Sequence, residues 1–113
     1  MPDSHCIVLC TVPDADQGAA LAEGLVADRL AACVNIVPGL TSVYRWQGAV
    51  QRDTECLLLI KTRQDRFEAL RDVLQARHPY ELPEIIAVPV SDGLAAYLAW
   101  IDSSIDSSLD TTP

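Results

Sequence analysis

Apolar and polar residues alternate along this chain in blocks whose periods predict four strands and three helices. Apolar runs of strand length, rich in β-branched residues, occupy residues 6–12, 33–46, 50–62 and 84–90. Apolar residues at helical spacing occupy residues 14–32, residues 65–78 and a third segment from residue 94. Asp14 or Asp16 offers an N-cap for the first helix. Pro79 ends the second helix, and Pro38-Gly39 predicts a bend or bulge in the second strand.

This order of elements predicts an α+β domain of the ferredoxin-like type. The succession β-α-β-β-α-β is the split βαβ plan, and here an extra C-terminal helix follows it. The apolar stripe of that helix consists of Leu94, Tyr97, Leu98, Ile101 and Ile105. We expect a single domain over residues 1–104 and a frayed tail over residues 105–113, because the tail is rich in Ser, Asp and Thr.

The two central strands are too long for the rest of the predicted domain. About 12 residues per strand span roughly 40 Å at about 3.3 Å per residue, whereas helices of about 14 residues cover roughly 20 Å at about 1.5 Å per residue. The tip of the central hairpin, which carries Val43, Tyr44, Trp46 and Val50, should therefore extend beyond its own core. An exposed aromatic strand pair favours pairing with another chain. We therefore expect a homo-oligomer held partly by hairpin exchange.

Composition and charge exclude several classes of function. The 113 residues include 8 basic and 16 acidic side chains, a net charge of −8, which argues against binding to nucleic-acid phosphates. Half of the residues are apolar, yet no apolar run reaches the length of about 18 residues that crosses a membrane. The start of the sequence lacks the basic and apolar regions of a signal peptide, so we expect a cytoplasmic protein.

The four cysteines lie outside any CxxC motif; they are Cys6, Cys10, Cys33 and Cys56. Disulfides are rare in the cytoplasm. Cys6 and Cys10 fall four residues apart in one strand, about 13 Å at about 3.3 Å per residue, too far to share a bond or a metal ion. We therefore expect free thiols and no metal or other cofactor required for folding.

The stretch RHPYELPEIIAVPV, residues 77–90, joins a stiff polar corner to an apolar strand. Its prolines fix the backbone, so His78, Tyr80, Glu81 and Glu84 should gather at the mouth of the fourth strand. His78 has two interpretations. A neutral imidazole is a ligand for copper or zinc, and a titrating one is an acid or base. A histidine at a helix C-terminus can equally interact with the last carbonyl groups.

A polar cleft between subunits is the expected result of this corner. Lys61 ends the adjacent strand, and we expect it to pair with Glu81 or Glu84. Aromatic residues of the hairpin tip and the last helix would line a ligand cleft or fill a subunit interface. The predicted cleft set is Tyr44, Trp46, Lys61, Tyr80, Glu81, Glu84 and Trp100. Paired carboxylates can do acid–base chemistry, but no nucleophile or substrate motif accompanies them, so we expect no enzyme.

Five segments together resemble the CutA family, the divalent-ion tolerance proteins. They are RLAACVNIVPG, SVYRWQG, ECLLLIKT, HPYELPEI and YLAWI. The resemblance runs from about residue 6 to residue 103. It implies a trimer of ferredoxin-like subunits whose long hairpins interlock, similar in architecture to the PII nitrogen-signalling proteins.

The resemblance also implies a link to copper. Some members are credited with copper binding through a cysteine of the first strand and a His-His pair before Pro-Tyr; matched here, these are Cys10 and His78. Arg77 stands where the other histidine would be, so we expect weak binding of copper or another divalent metal ion.

Three functional hypotheses follow from the residues and the resemblance. The first is a trimeric protein for divalent metal (copper) binding, tolerance or response, dependent on Cys10 and His78. The second is a PII-like regulatory trimer that binds a small anionic ligand through Lys61. The third is a non-catalytic assembly platform whose polar corner only stabilises the trimer.

Overall fold

The computed structural model describes residues 4–106 of the chain. Four strands, a short 3₁₀ helix and three α-helices form the fold. In chain order they are β1 (His5–Val12), α1 (Ala15–Ala27), β2 (Cys33–Trp46), β3 (Ala49–Arg63), the 3₁₀ helix (Gln64–Arg66), α2 (Phe67–Arg77), β4 (Ile86–Pro89) and α3 (Ala95–Ile105). None of the described helices is long and apolar enough to span a membrane.

The four strands form one antiparallel sheet in the order β2-β3-β1-β4. This confirms the predicted α+β class, and the element order is the expected β-α-β-β-α-β with an added helix. The hairpin strands β2 and β3 lie at one side of the sheet, and the short β4 forms its other edge.

The main core lies between one face of the sheet and the helices α1 and α2. Alternate residues of a strand share a face, and the even-numbered residues of β1 and of inner β3 are buried here. The largest fully buried side chains of this core are Val8, Val12, Leu25, Leu58, Ile60, Leu70 and Leu74. All four cysteines are free thiols.

Helix α1 ends at Ala27, several residues earlier than its apolar pattern predicts. Arg29 adopts a left-handed conformation, with φ of 59°. Its amide donates to the carbonyl of Val26 at 3.1 Å, and the Leu30 amide donates to the carbonyl of Leu25 at 2.9 Å. This pair of bonds is a Schellman motif, which satisfies the terminal carbonyls and turns the chain into β2.

Helix α3 packs against the other face of the sheet. Ile101 and Ile105 are buried beside Ala32. Arg63 of β3, itself buried, makes ion pairs with Asp102 at 3.3 Å and Asp106 at 2.8 Å. The helix therefore includes Ile105, the first residue of the predicted tail, and Asp106 caps it; residues 107–113 lie outside the described part of the chain.

The hairpin of β2 and β3 is the longest feature of the molecule, with 14 and 15 residues in its strands. The molecule measures 52 × 29 × 23 Å, whereas the 13 residues of α1 span about 20 Å at about 1.5 Å per residue. Gln47 and Gly48, both with positive φ, form the tight turn. Val43 and Val50 near this turn are 65% and 67% exposed. The hairpin tip therefore extends past the helices, as the strand lengths predict.

Candidate functional site

The connector between α2 and β4 is held to the sheet by His78. This residue is 8% exposed. It precedes Pro79, and a residue before proline disfavours the helical conformation, so the ψ of 140° at His78 ends α2. Its Nδ1 accepts a hydrogen bond from the Tyr80 amide at 3.0 Å, so Nε2 carries the ring hydrogen and donates to the Thr11 carbonyl at 2.7 Å. The imidazole thus uses both nitrogens to join the connector to β1.

The other predicted metal ligand, Cys10, lies in the main core. Its thiol is fully buried, and Sγ is 3.9 Å from the same Thr11 carbonyl oxygen that His78 contacts. Burial, with the charges of Glu84 and Glu55 adding to it, raises the pKa of Cys10 to about 12. The thiolate that binds metals is therefore disfavoured. The described residues contain no group of three His, Cys, Asp or Glu side chains placed to hold a metal ion. The structure brings Cys10 and His78 to one carbonyl, and metal binding by them stays a prediction.

A cleft of about 760 Å³ separates the hairpin from the connector. It is lined by five residues of the predicted cleft set: Tyr44, Trp46, Tyr80, Glu81 and Glu84. The hairpin and the connector that form it belong to the same chain. Residues of one chain therefore line both walls of the cleft.

The cleft also contains Glu55, which the sequence analysis did not identify. This glutamate is 7% exposed, and the Tyr80 hydroxyl donates a hydrogen bond to its Oε2 at 2.7 Å. Burial and this bond raise the pKa of Tyr80. Tyr44 donates to Asp53 in the same way, and that bond raises the pKa of Tyr44. The signal in the sequence was a glutamate directly before the apolar run CLLLI, where a charge must find a partner to be buried.

Lys61 and Trp100 lie apart from this cleft. Lys61 is opposite Cys33 in the β2–β3 pairing, and its Nζ is 3.4 Å from the Tyr97 hydroxyl on α3. Lys61 therefore contacts α3. The sequence analysis had expected it to pair with Glu81 or Glu84. Trp100 stacks near Tyr97, with ring centroids 5.4 Å apart, and lines a different depression, between α1 and α3.

Arg77, which replaces the histidine of the family pattern, points toward α1. Its guanidinium is 3.7 Å from Asp28, and both side chains are about half exposed. The cation therefore belongs to a surface ion pair, a kind of contact that contributes about 0–1 kcal/mol.

Comparisons with known proteins agree with this architecture. The family model described as CutA1 divalent ion tolerance protein matches residues 6–104. A divalent-cation tolerance protein CutA from Thermus thermophilus is 53% identical over 95 residues, which cover 84% of this chain and 92% of that protein. Protein CutA, chloroplastic, from Arabidopsis thaliana is 50% identical over 98 residues, 87% of this chain but 54% of that longer protein.

A solved structure extends the agreement to three dimensions. The crystal structure of CutA1 from Oryza sativa superimposes with a TM-score of 0.87 at 46% identity, covering 89% of this chain and 93% of that one. With a family match over nearly all of the described residues and relatives near half identity, the chain belongs to the CutA1 divalent ion tolerance family.

Proposed function

We propose that this chain forms a homotrimer, without enzymatic activity, that binds cations weakly as part of divalent-metal (copper) tolerance or response. Family membership supports the link to divalent cations. The observation that carries the cation-binding part is the acidic cleft, whose lining includes Glu55, Glu81 and Glu84 against a single arginine, Arg45. Such an excess of carboxylates concentrates cations.

The second face of the sheet supports self-association. Where α3 does not cover it, the pairing of the strands places apolar residues side by side in neighbouring rows. They are Ile7, Leu9, Val37, Leu57, Leu59, Ile86 and Val88. Val37, Ile86 and Val88 are 41%, 52% and 45% exposed in the single chain. A continuous apolar sheet face of this kind is typical of a subunit interface, and three PII-like subunits related by a three-fold axis would cover it.

Sedimentation of two matched variants tests the assembly. Val88→Asp puts a charge on the apolar face and should yield smaller species, because burying an unpaired carboxylate is costly. Val26→Asp puts the same charge on α1, where the valine is 42% exposed against 45% for Val88, and should leave the trimer intact. A trimer unaffected by Val88→Asp would refute this interface.

Copper binding is proposed at Cys10 and His78. Binding there requires a deprotonated thiol and the release of one hydrogen bond of the imidazole, so we expect it to be weak. Calorimetry should find the affinity reduced in His78→Ala and increased in Arg77→His, which adds an imidazole at a half-exposed position. Equal affinities in the three proteins would place any copper elsewhere.

The absence of catalysis is proposed because His78, the natural acid or base of the corner, is committed to two backbone groups. We propose the cytoplasm as the compartment, with no nucleic acid or membrane as partner; the free thiols are typical of a reducing compartment. The PII-like alternative with an anionic ligand is less favoured, because Lys61 lies outside the acidic cleft. A thermal-shift screen against metals and small anions separates the alternatives.

A further inference from the structure

The cleft combines two kinds of wall. Tyr44, Trp46 and Tyr80 provide aromatic rings, and the glutamates at 55, 81 and 84 provide charge. With three glutamates and one arginine, Arg45, the described lining carries a net charge of −2. Aromatic faces attract ammonium groups electrostatically, and carboxylates pair with the same groups. Both kinds of wall therefore favour a cation that also has apolar surface.

Glu55 has an unfilled acceptor. It is 7% exposed, and in the described part of the chain its one hydrogen-bond donor is the Tyr80 hydroxyl, on Oε2. A carboxylate accepts about four hydrogen bonds, so Oε1 remains able to accept from a ligand in the cleft. Oε1 of Glu55 is not among the described buried side-chain atoms that lack a partner, so it is accessible from the cleft.

The spacing of the carboxylates argues against one small ion as the ligand. No three acidic, histidine or cysteine side chains of the described residues approach a common point closely enough to coordinate a metal. The charges instead come from two separate segments, Glu55 from the hairpin of β2 and β3 and Glu81 and Glu84 from the connector, and each segment also contributes at least one aromatic ring to the lining. A molecule with separated positive centres joined by methylene groups matches that distribution, because each ammonium can pair with a different carboxylate while the methylenes contact the rings.

We propose that this cleft binds a linear organic dication, an alkyl diammonium of the polyamine class. The proposal deepens the cation-binding function proposed above and rests on the same cleft, but it does not depend on copper binding or on the number of subunits. Glu55 and Glu84 pair with the ammonium groups, and Trp46 and Tyr80 pack against the chain between them.

Calorimetry of the full chain with putrescine and spermidine tests this, with butanediol as the neutral analogue and Mg²⁺ as the inorganic cation. Glu55→Gln and Glu84→Gln should each weaken diamine binding about fivefold, the value for one lost ion pair near 1 kcal/mol. Glu68→Gln removes the same charge from an exposed position on α2 and should change the affinity less than twofold. Butanediol should give no heat of binding.

Three results would overturn the proposal. They are equal weakening by Glu68→Gln, which indicates diffuse attraction; binding of butanediol, which indicates apolar contact alone; and displacement of the diamine by Mg²⁺ at equal charge concentration, which indicates an unselective cation atmosphere. Sedimentation of the same samples keeps the two proposals separate. A chain that binds diamines without forming a trimer refutes the assembly only, and a trimer that binds none refutes the dication only.

Discussion

Replacing His78 tests how the polar corner is held against the sheet. The His78 side chain makes two hydrogen bonds, one to the buried Thr11 carbonyl and one from the Tyr80 amide. His78→Ala removes both. Leaving the Thr11 carbonyl with only the weak, long contact of the Cys10 thiol costs about 1–3 kcal/mol, and losing the bond to the half-buried Tyr80 amide, which water can partly replace, costs about 0.5–1.5 kcal/mol. We therefore expect the free energy of unfolding to fall by about 1.5–4.5 kcal/mol.

Two further substitutions separate the bonds. A glutamine at position 78 can place its Nε2 near that of histidine and keep the bond to Thr11. An asparagine can place its Oδ1 near Nδ1 and keep the bond from Tyr80. Because the Thr11 carbonyl is the more buried partner, stability should fall in the order wild type, His78→Gln, His78→Asn, His78→Ala.

Urea unfolding at one fixed protein concentration measures this order, since the stability of an oligomer depends on concentration. Arg77→Ala is the matched control. It removes a neighbouring side chain that is 51% exposed and should change the free energy of unfolding by less than about 0.5 kcal/mol. If His78→Ala costs no more than Arg77→Ala, the imidazole does not anchor the connector.

The hairpin tip, the cysteines and the ion pairs of Arg63 each give a measurable expectation. Trp46 is 37% exposed in the single chain and would be buried by the interlocking hairpins of the proposed trimer. Trp46→Ala should then sharply lower the thermal midpoint, since truncating a buried interface aromatic costs about 3–5 kcal/mol; an equally heat-stable trimer would rule out interlocking hairpins. Unfolding curves with and without reductant should coincide, because all four cysteines are free thiols; a loss of stability on reduction would contradict this. The hydrogen bond from Arg63 lowers the pKa of Asp106 in the folded chain. The ionised Asp106 therefore stabilises the fold at pH values above about 3.9, the pKa of an aspartate in the unfolded chain, and this stabilisation is lost as the pH falls below that value. In Asp106→Asn the urea midpoint should therefore fall less steeply below about pH 4 than it does in the wild type. An equally steep fall in both proteins would mean that other carboxylates cause the loss of stability.

Local patterns in the sequence were sufficient to predict the class and order of the fold. The apolar runs and the proline after His78 indicate each strand and the end of α2. The end of α1 was placed too late, because Leu30 continues the helical spacing while the Schellman motif at Arg29 has no glycine to signal it. Arg in that conformation is uncommon, so propensity favoured a longer helix.

The candidate site was predicted less completely, because it depends on which strands are neighbours and in what register. Tyr44, Trp46, Tyr80, Glu81 and Glu84 line one cleft as expected. Lys61 was assigned to the wrong neighbourhood. Lys61 is six positions along β3 from the cleft residue Glu55, roughly 20 Å at about 3.3 Å per residue, and the register that faces it toward α3 is not visible in local sequence. Glu55 was missed for a related reason: its burial comes from Tyr80, 25 residues later in the chain.

The irregularity at Pro38-Gly39 restricts how the hairpin can change during evolution or engineering. Between the pairs Val37–Leu57 and Leu40–Glu55, β2 advances three positions (37 to 40) while β3 advances two (57 to 55), so β2 carries one extra residue, a β-bulge. The extra residue reverses which face of the sheet each side chain of β2 beyond the bulge occupies. As a result Tyr44 lies opposite Gln51, on the face shared with Asp53 and Glu55. Deleting Gly39 alone would turn Tyr44 and Trp46 to the opposite face of the hairpin, away from Asp53 and Glu55. The outer hairpin can therefore lengthen or shorten only by even numbers of residues per strand if the same side chains are to stay on the face that lines the cleft.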